Sequence, residues 1–179
     1  YNVFNIEQTD GVKLPKREAQ PEDSDPEIDV NEFAEAIVRG YVDNGGPTLA
    51  HDGGDSAYYR PSTDAVSMPM PGQFTSPDGW YATLFHELGH STGHESRLDR
   101  LSKDTVLAAF GSEDYSREEL VAEFTSAYLA AQSGINNTRE NSTAYIAGWL
   151  RVVKSDPQAA LIAAGRAQHA ADLILQAGR

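Results

Sequence analysis

The stretch TLFHELGHSTGHESRLDR, Thr83–Arg100, holds three of the five histidines of the chain, His86, His90 and His94, at intervals of four. Side chains four apart share a helix face, so His86 and His90 can close on one metal ion. Glu87 follows the first histidine and stands about 100° further round the axis, where its carboxylate can serve a reacting water without being a ligand. This HExxH arrangement reads as two zinc ligands and a general base. The plain alternative, a packed or surface histidine pair, fits less well: the pattern lies between helix start and stop signals and beside an apolar stripe.

The third donor decides the chemistry. In the pattern HExxHxxGxxH the glycine is present as Gly93, but the last histidine position holds Ser96. His94 comes just after the glycine expected to end the helix, which suits a capping or structural role better than ligation or substrate contact. A carboxylate is the stronger candidate. SREELVAEFTSAYL, Ser116–Leu129, carries Glu118, Glu119 and Glu123; Glu119 and Glu123 share a face beside the apolar Leu120, Phe124 and Tyr128. Acids beside a buried stripe are costly unless positive charge meets them. Glu119 can ligate while Glu123 accepts the outer N–H of a ligand histidine, or the two can exchange roles. Ser116 and Glu119 also fit a capping box, a purely structural use of the same acid.

The elements that must position these groups follow from local signals. Ser76 is a helix cap, Pro77 suits the first helical position and Gly93 the end; Trp80, Leu84, Phe85 and Leu88 supply the apolar face. Further helices are expected from Ser116 to about Ser133, from Arg139 to Lys154, and from Asp156-Pro157 to near Gly178. Upstream, Val30, Phe33, Ile37, Val38 and Tyr41 mark a helix closed by Gly45-Gly46. TLAH, SAYYR and AVSMP, separated by DGGD and PSTD, suggest a small antiparallel hairpin or meander. Strands first and helices afterwards give an α+β chain.

With 179 residues the chain is long enough for one self-sufficient core. It has no cysteine, so a metal must rest on histidine and carboxylate donors. No apolar run spans a membrane and no secretory leader is visible; a cytoplasmic location is expected. The net charge of −13 repels phosphate backbones, so this segment is not expected to bind nucleic acid by itself. Seven acids and no base lie between Glu18 and Glu32, a solvated linker by composition. The chain begins at Tyr1 and is expected to be cut from a longer protein. Residues 1–28 then form a lead-in strand and acidic linker, and residues 29–179 the domain proper.

NVFNIEQTDG, YYRPSTDAVSMP, TLFHELGHSTGHESRLDR, SREELVAEF and TAYIAGWL, in that order, resemble the metallopeptidase domain of ArdC-type plasmid antirestriction proteins and TraC-type conjugative primases, a gluzincin-type zincin. The acidic stretch departs from that pattern. The resemblance implies a zincin-like fold: a small, mostly antiparallel sheet, an active-site helix and a helical C-terminal half. It implies a zinc-dependent metallopeptidase acting on a peptide or protein substrate, with DNA bound only through a preceding domain that this chain lacks. The AYYRPSTDAVSMP hairpin would offer a strand for an extended peptide. ELVAE is similar to the segment of other gluzincins whose first acid binds zinc, which favours Glu119 beside His86 and His90. Glu87 would be the catalytic base, and Tyr145, Tyr115 or His94 the stabiliser of a developing oxyanion. The competing reading is a zinc-stabilised module that binds protein or DNA and cleaves nothing. Glu87 argues against it, because a purely structural site has no use for that carboxylate.

Overall fold

The computed structural model describes residues 30–51, 54–101, 113–135 and 156–178. The lead-in strand and acidic linker of residues 1–28, the helix expected over 139–154 and the side chains of Tyr115 and Tyr145 lie outside the described residues. Helix α1 spans Val30–Val42 and is followed by three short strands, β1 (Thr48–Ala50), β2 (Tyr58–Arg60) and β3 (Ala65–Ser67). Helices α2 (Pro77–Ser91), α3 (Glu113–Gln132) and α4 (Pro157–Ala177) complete the order, which is the expected α+β arrangement.

The sheet is mixed, with order β1-β3-β2. Strands β2 and β3 form the expected antiparallel hairpin, with Tyr59 opposite Val66, while β1 pairs parallel to β3 with Leu49 opposite Val66. A simple meander would have put β2 in the middle. Instead β3 takes that place, because Val66, Ser67 and Met68 are all buried, and a strand covered on both sides belongs at the centre of a sheet. Val66 and Met68 enter one core with Val38 and Tyr41 of α1, Leu84, Phe85 and Leu88 of α2, Leu129 of α3 and Ile174 of α4.

Helix α2 starts as its sequence indicates: the Ser76 hydroxyl accepts a hydrogen bond from the Gly79 amide at 3.1 Å, and Pro77 fills the first turn. It ends at Ser91, one residue after His90, and Gly93 serves that end by leaving room rather than by adopting a left-handed conformation. A Cβ there would lie 2.8 Å from Leu101 Cγ. The chain turns back at this point, so that the Gly93 carbonyl accepts from the amides of Arg100 and Leu101, both at 2.9 Å.

That return brings Arg97 and Arg100 under the helix they have just left. Arg97, whose side chain is 6% exposed, joins three elements. It donates to the Ser91 carbonyl of α2 at 2.8 Å, to the Gly45 carbonyl after α1 at 3.0 Å, and to both oxygens of Asp64 in the β2–β3 turn. Tyr59 also donates to Asp64, at 2.8 Å. Burial alone would raise the Asp64 carboxyl, but Arg97 and Tyr59 hold it below its ordinary range.

Helix α3 begins at Glu113, three residues before the expected Ser116, so Ser116 and Glu119 do not form the capping box. Its buried residues include Leu120, Val121, Ala122, Thr125, Ser126 and Leu129, a wide band rather than a stripe, because α2 covers one side and α4 the other. Phe124 and Tyr128 are only partly buried, beside Ala163 and Ala167 of α4. The α2–α3 seam is made of small residues. Ser126 donates to the Ala82 carbonyl at 2.7 Å, and a Cβ on Gly89 would lie 3.1 Å from Ala122 Cα, 3.2 Å from its carbonyl oxygen and 3.2 Å from Thr125 Cβ. Gly89→Ala therefore pushes backbone against backbone. Overpacking of this kind costs about 1–3 kcal/mol, more than the roughly 1 kcal/mol that alanine gains in helix propensity. The expected result is a metal-free melting temperature lower by a few degrees, measured calorimetrically; an unchanged or higher value contradicts such close packing.

Candidate metal centre

Helix α2 turns its apolar side, Trp80, Leu84, Phe85 and Leu88, into the core, and this rotation leaves His86 and His90 facing α3. Their Nε2 atoms are 3.1 Å apart. Glu119 of α3 completes the group: one oxygen is 3.6 Å from His86 Nε2 and the other 3.4 Å from His90 Nε2. Donor atoms about 2.0–2.1 Å from a tetrahedral zinc ion stand roughly 3.3–3.4 Å from one another, so the three spacings bracket what one ion requires. His86, His90 and Glu119 are the group among the described residues whose donor atoms all approach within 4.8 Å and could hold a metal.

The remaining acids stand behind the histidines. Glu123 approaches His86 Nδ1 at 3.4 Å, and Glu118 approaches His90 Nδ1 at 3.7 Å. Each imidazole thus has a carboxylate near its outer nitrogen, Nδ1, and Glu119 near its inner one, Nε2. Burial opposes a charge on His90, yet its contacts with Glu118 and Glu119 and the field of Glu87 raise its pKa to about 10. Partial burial would raise Glu119, and the two histidines still hold it far below the usual carboxylate range. Glu123 moves the other way, raised by burial and by the charges of Glu119 and Glu87 against the opposing pull of the histidines. A cluster that attracts a proton this strongly attracts a divalent cation by the same field, and uptake of the metal displaces the proton.

Glu87 is 8% exposed. Among the described residues its carboxylate makes no hydrogen bond. His94 stands apart from the donor group: its Nδ1 accepts from the Ser96 amide at 3.2 Å and lies 2.8 Å from the Ser96 hydroxyl. It closes the turn after α2, the local role expected of it. Two residues escaped the reading of spacing. Glu118 was visible as an acid without an assigned task, because neighbours on a helix point about 100° apart and both do not usually face inward. Arg100 gave only a charge after the helix. Its side chain is 8% exposed and pairs with Glu118 at 3.0 Å.

A family profile described as MPTase-PolyVal, zincin-like metallopeptidase, matches residues 36–166. The chain is 40% identical over 173 residues to the Escherichia coli DNA primase TraC, covering 97% of this chain and 11% of that protein. It is 38% identical over 175 residues to the uncharacterized protein y4eC of Sinorhizobium fredii, covering 96% of this chain and 52% of that one. The crystal structure of the antirestriction protein ArdC from plasmid R388, in its Mn(II)-bound form, superposes with a TM-score of 0.65 at 36% identity, over 82% of this chain and 52% of ArdC. Its metal-free form gives a TM-score of 0.64 at 35% identity, over 99% and 60%. The chain therefore spans only part of each of these relatives.

The donor geometry predicts how metal binding divides between the two acids. Titrated with zinc, the protein should take up about one equivalent and melt at a higher temperature, since binding to the folded state alone stabilises it. Glu119→Ala should lose the bound ion, whereas Glu123→Ala should keep the stoichiometry and weaken affinity by about 10–100-fold. Full stoichiometry in Glu119→Ala with loss in Glu123→Ala would show that the acids exchange roles.

Proposed function

This chain belongs to the zincin-like metallopeptidase family, and from that premise we propose that it is the metallopeptidase domain of a larger DNA-associated antirestriction protein of a plasmid or mobile element, hydrolysing peptide bonds in the cytoplasm with a zinc ion held by His86, His90 and Glu119. The observation that carries the reading is the convergence of two imidazole Nε2 atoms and one carboxylate beside a second, buried carboxylate, Glu87, that is not one of the donors. The site fits zinc by its chemistry: imidazole nitrogens with one carboxylate oxygen are a common catalytic zinc set. R388 ArdC holds Mn(II) in its crystal structure, but at equal geometry a nitrogen-containing site binds zinc more tightly than manganese.

When bound there, zinc would supply a Lewis acid for the substrate carbonyl and an acidified water. The protein supplies the proton transfers. A Glu87 carboxylate oxygen takes a proton from the attacking water and returns it to the leaving amine. General-base catalysis of this kind contributes about 10²–10⁴-fold. Glu123 and Glu118 face the outer nitrogens of the two histidines at 3.4 and 3.7 Å and would accept from their N–H groups once both Nε2 atoms are given to the metal. Among the described residues strand β2 is an edge of the sheet and lies against α2; an extended peptide added at that edge would lie along the helix that carries Glu87. With a net charge of −13, contact with DNA falls to parts of the longer protein outside this chain.

A second reading has its own support: the named functions of the relatives are antirestriction and priming of DNA synthesis, and a metal-stabilised binding module could serve either. Glu87→Gln separates the two. It keeps size and hydrogen bonding, and leaves every metal donor in place. The hydrolase reading predicts wild-type metal binding and melting with peptidase activity lower by two to four orders of magnitude. Normal function of the Glu87→Gln full-length protein in cells, together with no cleavage by the wild type across a broad peptide library, would establish the binding module instead.

A further inference from the structure

Arg100 and Glu118 form a buried ion pair beside the site. The guanidinium holds the carboxylate through two contacts, Nη2 to Oε1 at 3.0 Å and Nε to Oε2 at 3.3 Å. It also donates to the Thr92 hydroxyl at 2.9 Å and the Gly89 carbonyl at 3.1 Å. Both partners are nearly sealed from water, with side chains 8% and 10% exposed. The backbone of Arg100 is pinned as well, through its amide bond to the Gly93 carbonyl at 2.9 Å. Glu118 is therefore fixed on the side facing α2, where its Oε1 meets His90 Nδ1 at 3.7 Å.

Fold stability alone does not account for this expenditure of charge. A buried ion pair is often no more stabilising than well-packed apolar residues of similar volume, and a leucine pair could fill the same space. What an apolar pair could not do is set the tautomer of His90. Glu119 faces Nε2 at 3.4 Å and Glu118 faces Nδ1 at 3.7 Å; once Nε2 is given to a metal, the ring's proton is on Nδ1, the nitrogen that Glu118 faces. Arg100 is needed for this, because its paired contacts fix the Glu118 carboxylate in the place that faces His90.

We propose that Glu118 and Arg100 are positioning residues of the metal centre: Glu118 holds His90 in the tautomer and orientation that present Nε2, and Arg100 holds Glu118. The proposal rests on the reading of His86, His90 and Glu119 as metal donors. It makes the segment from Gly93 to Leu101, which contributes no donor of its own, a determinant of metal affinity.

The test uses the whole chain, with zinc and cobalt(II) as probes. Affinity is read by competition with a chelating indicator, geometry by the visible absorption of the cobalt protein, and folding by the melting temperature without metal. Glu118→Gln should bind zinc about 10–100-fold more weakly than wild type and shift the cobalt spectrum, in excess of any change in metal-free melting. Arg100→Lys keeps the charge but cannot make the paired contacts, and should lose part of the same affinity. Affinity within about twofold of wild type, with an unchanged cobalt spectrum, overturns the proposal even if melting falls. The wild type gives an independent readout: nitrogen-15 NMR of the zinc-loaded protein should show His90 protonated at Nδ1, and ligation through Nδ1 overturns the proposal without any variant. A wild type that binds no metal, alongside an equally inert His86→Ala, removes the donor reading itself and the proposal with it.

Discussion

The approach of α2 to α3 at Gly89 sets the spacing of every donor atom at the centre. With a Cβ absent, the helix backbones close until the would-be Cβ position is 3.1 Å from Ala122 Cα. His86 and His90 lie three before and one after that contact, and Glu119 and Glu123 lie three before and one after Ala122. The two helices run antiparallel at this seam, so that His86 meets Glu123 while His90 meets Glu118, with Glu119 reaching both histidines. A wider seam would leave the carboxylates short of the imidazoles; a tighter one would force the rings aside. The two middle positions of the HExxH pattern are therefore as constrained as the ends, one by core burial at Leu88 and the other by close packing at Gly89.

Charge is the second constraint. Three carboxylates, Glu118, Glu119 and Glu123, stand 3.4–3.7 Å from two imidazoles, the charge of Glu87 acts on the same group, and one buried arginine meets them. In a medium of low dielectric such an excess is tolerable only if a cation joins it. A proton on His90 serves partially, which is why the imidazole is pushed up to about 10. A divalent ion would serve better, because the donor atoms of Glu119 and both rings converge on one place. The arginines after α2 complete the arrangement in different ways. Arg97 fastens the helix to the sheet through Asp64, and Arg100 compensates Glu118 behind His90.

Much of this was legible from spacing. The caps of α2, the shared face of His86 and His90, and the four-residue interval between Glu119 and Glu123 all follow from helix geometry. The family resemblance then favoured Glu119 as the donor. The sheet order was not legible, because three-residue strands carry no register signal and the burial that centres β3 comes from helices far along the chain. Glu118 was hidden for a related reason. Its neighbour faces the metal site, and only the returning segment after Gly93 turns the other side of α3 into an interior. Gly93 itself was readable as a helix end, but its space-saving role depends on Leu101 packing back. The tyrosines expected near the oxyanion, Tyr115 and Tyr145, belong to side chains outside the described residues, as does the acidic stretch before α1 up to Asp29.

The central claim is that two imidazoles of α2 and one carboxylate of α3 share a single metal ion with a position left open. X-ray absorption at the zinc edge of the loaded protein measures that shell directly. The account predicts two imidazole nitrogens at about 2.0–2.1 Å, with the rest of a four-coordinate shell made of oxygen. A third imidazole, which would bring His94 into the shell, or a shell made only of oxygen would contradict it.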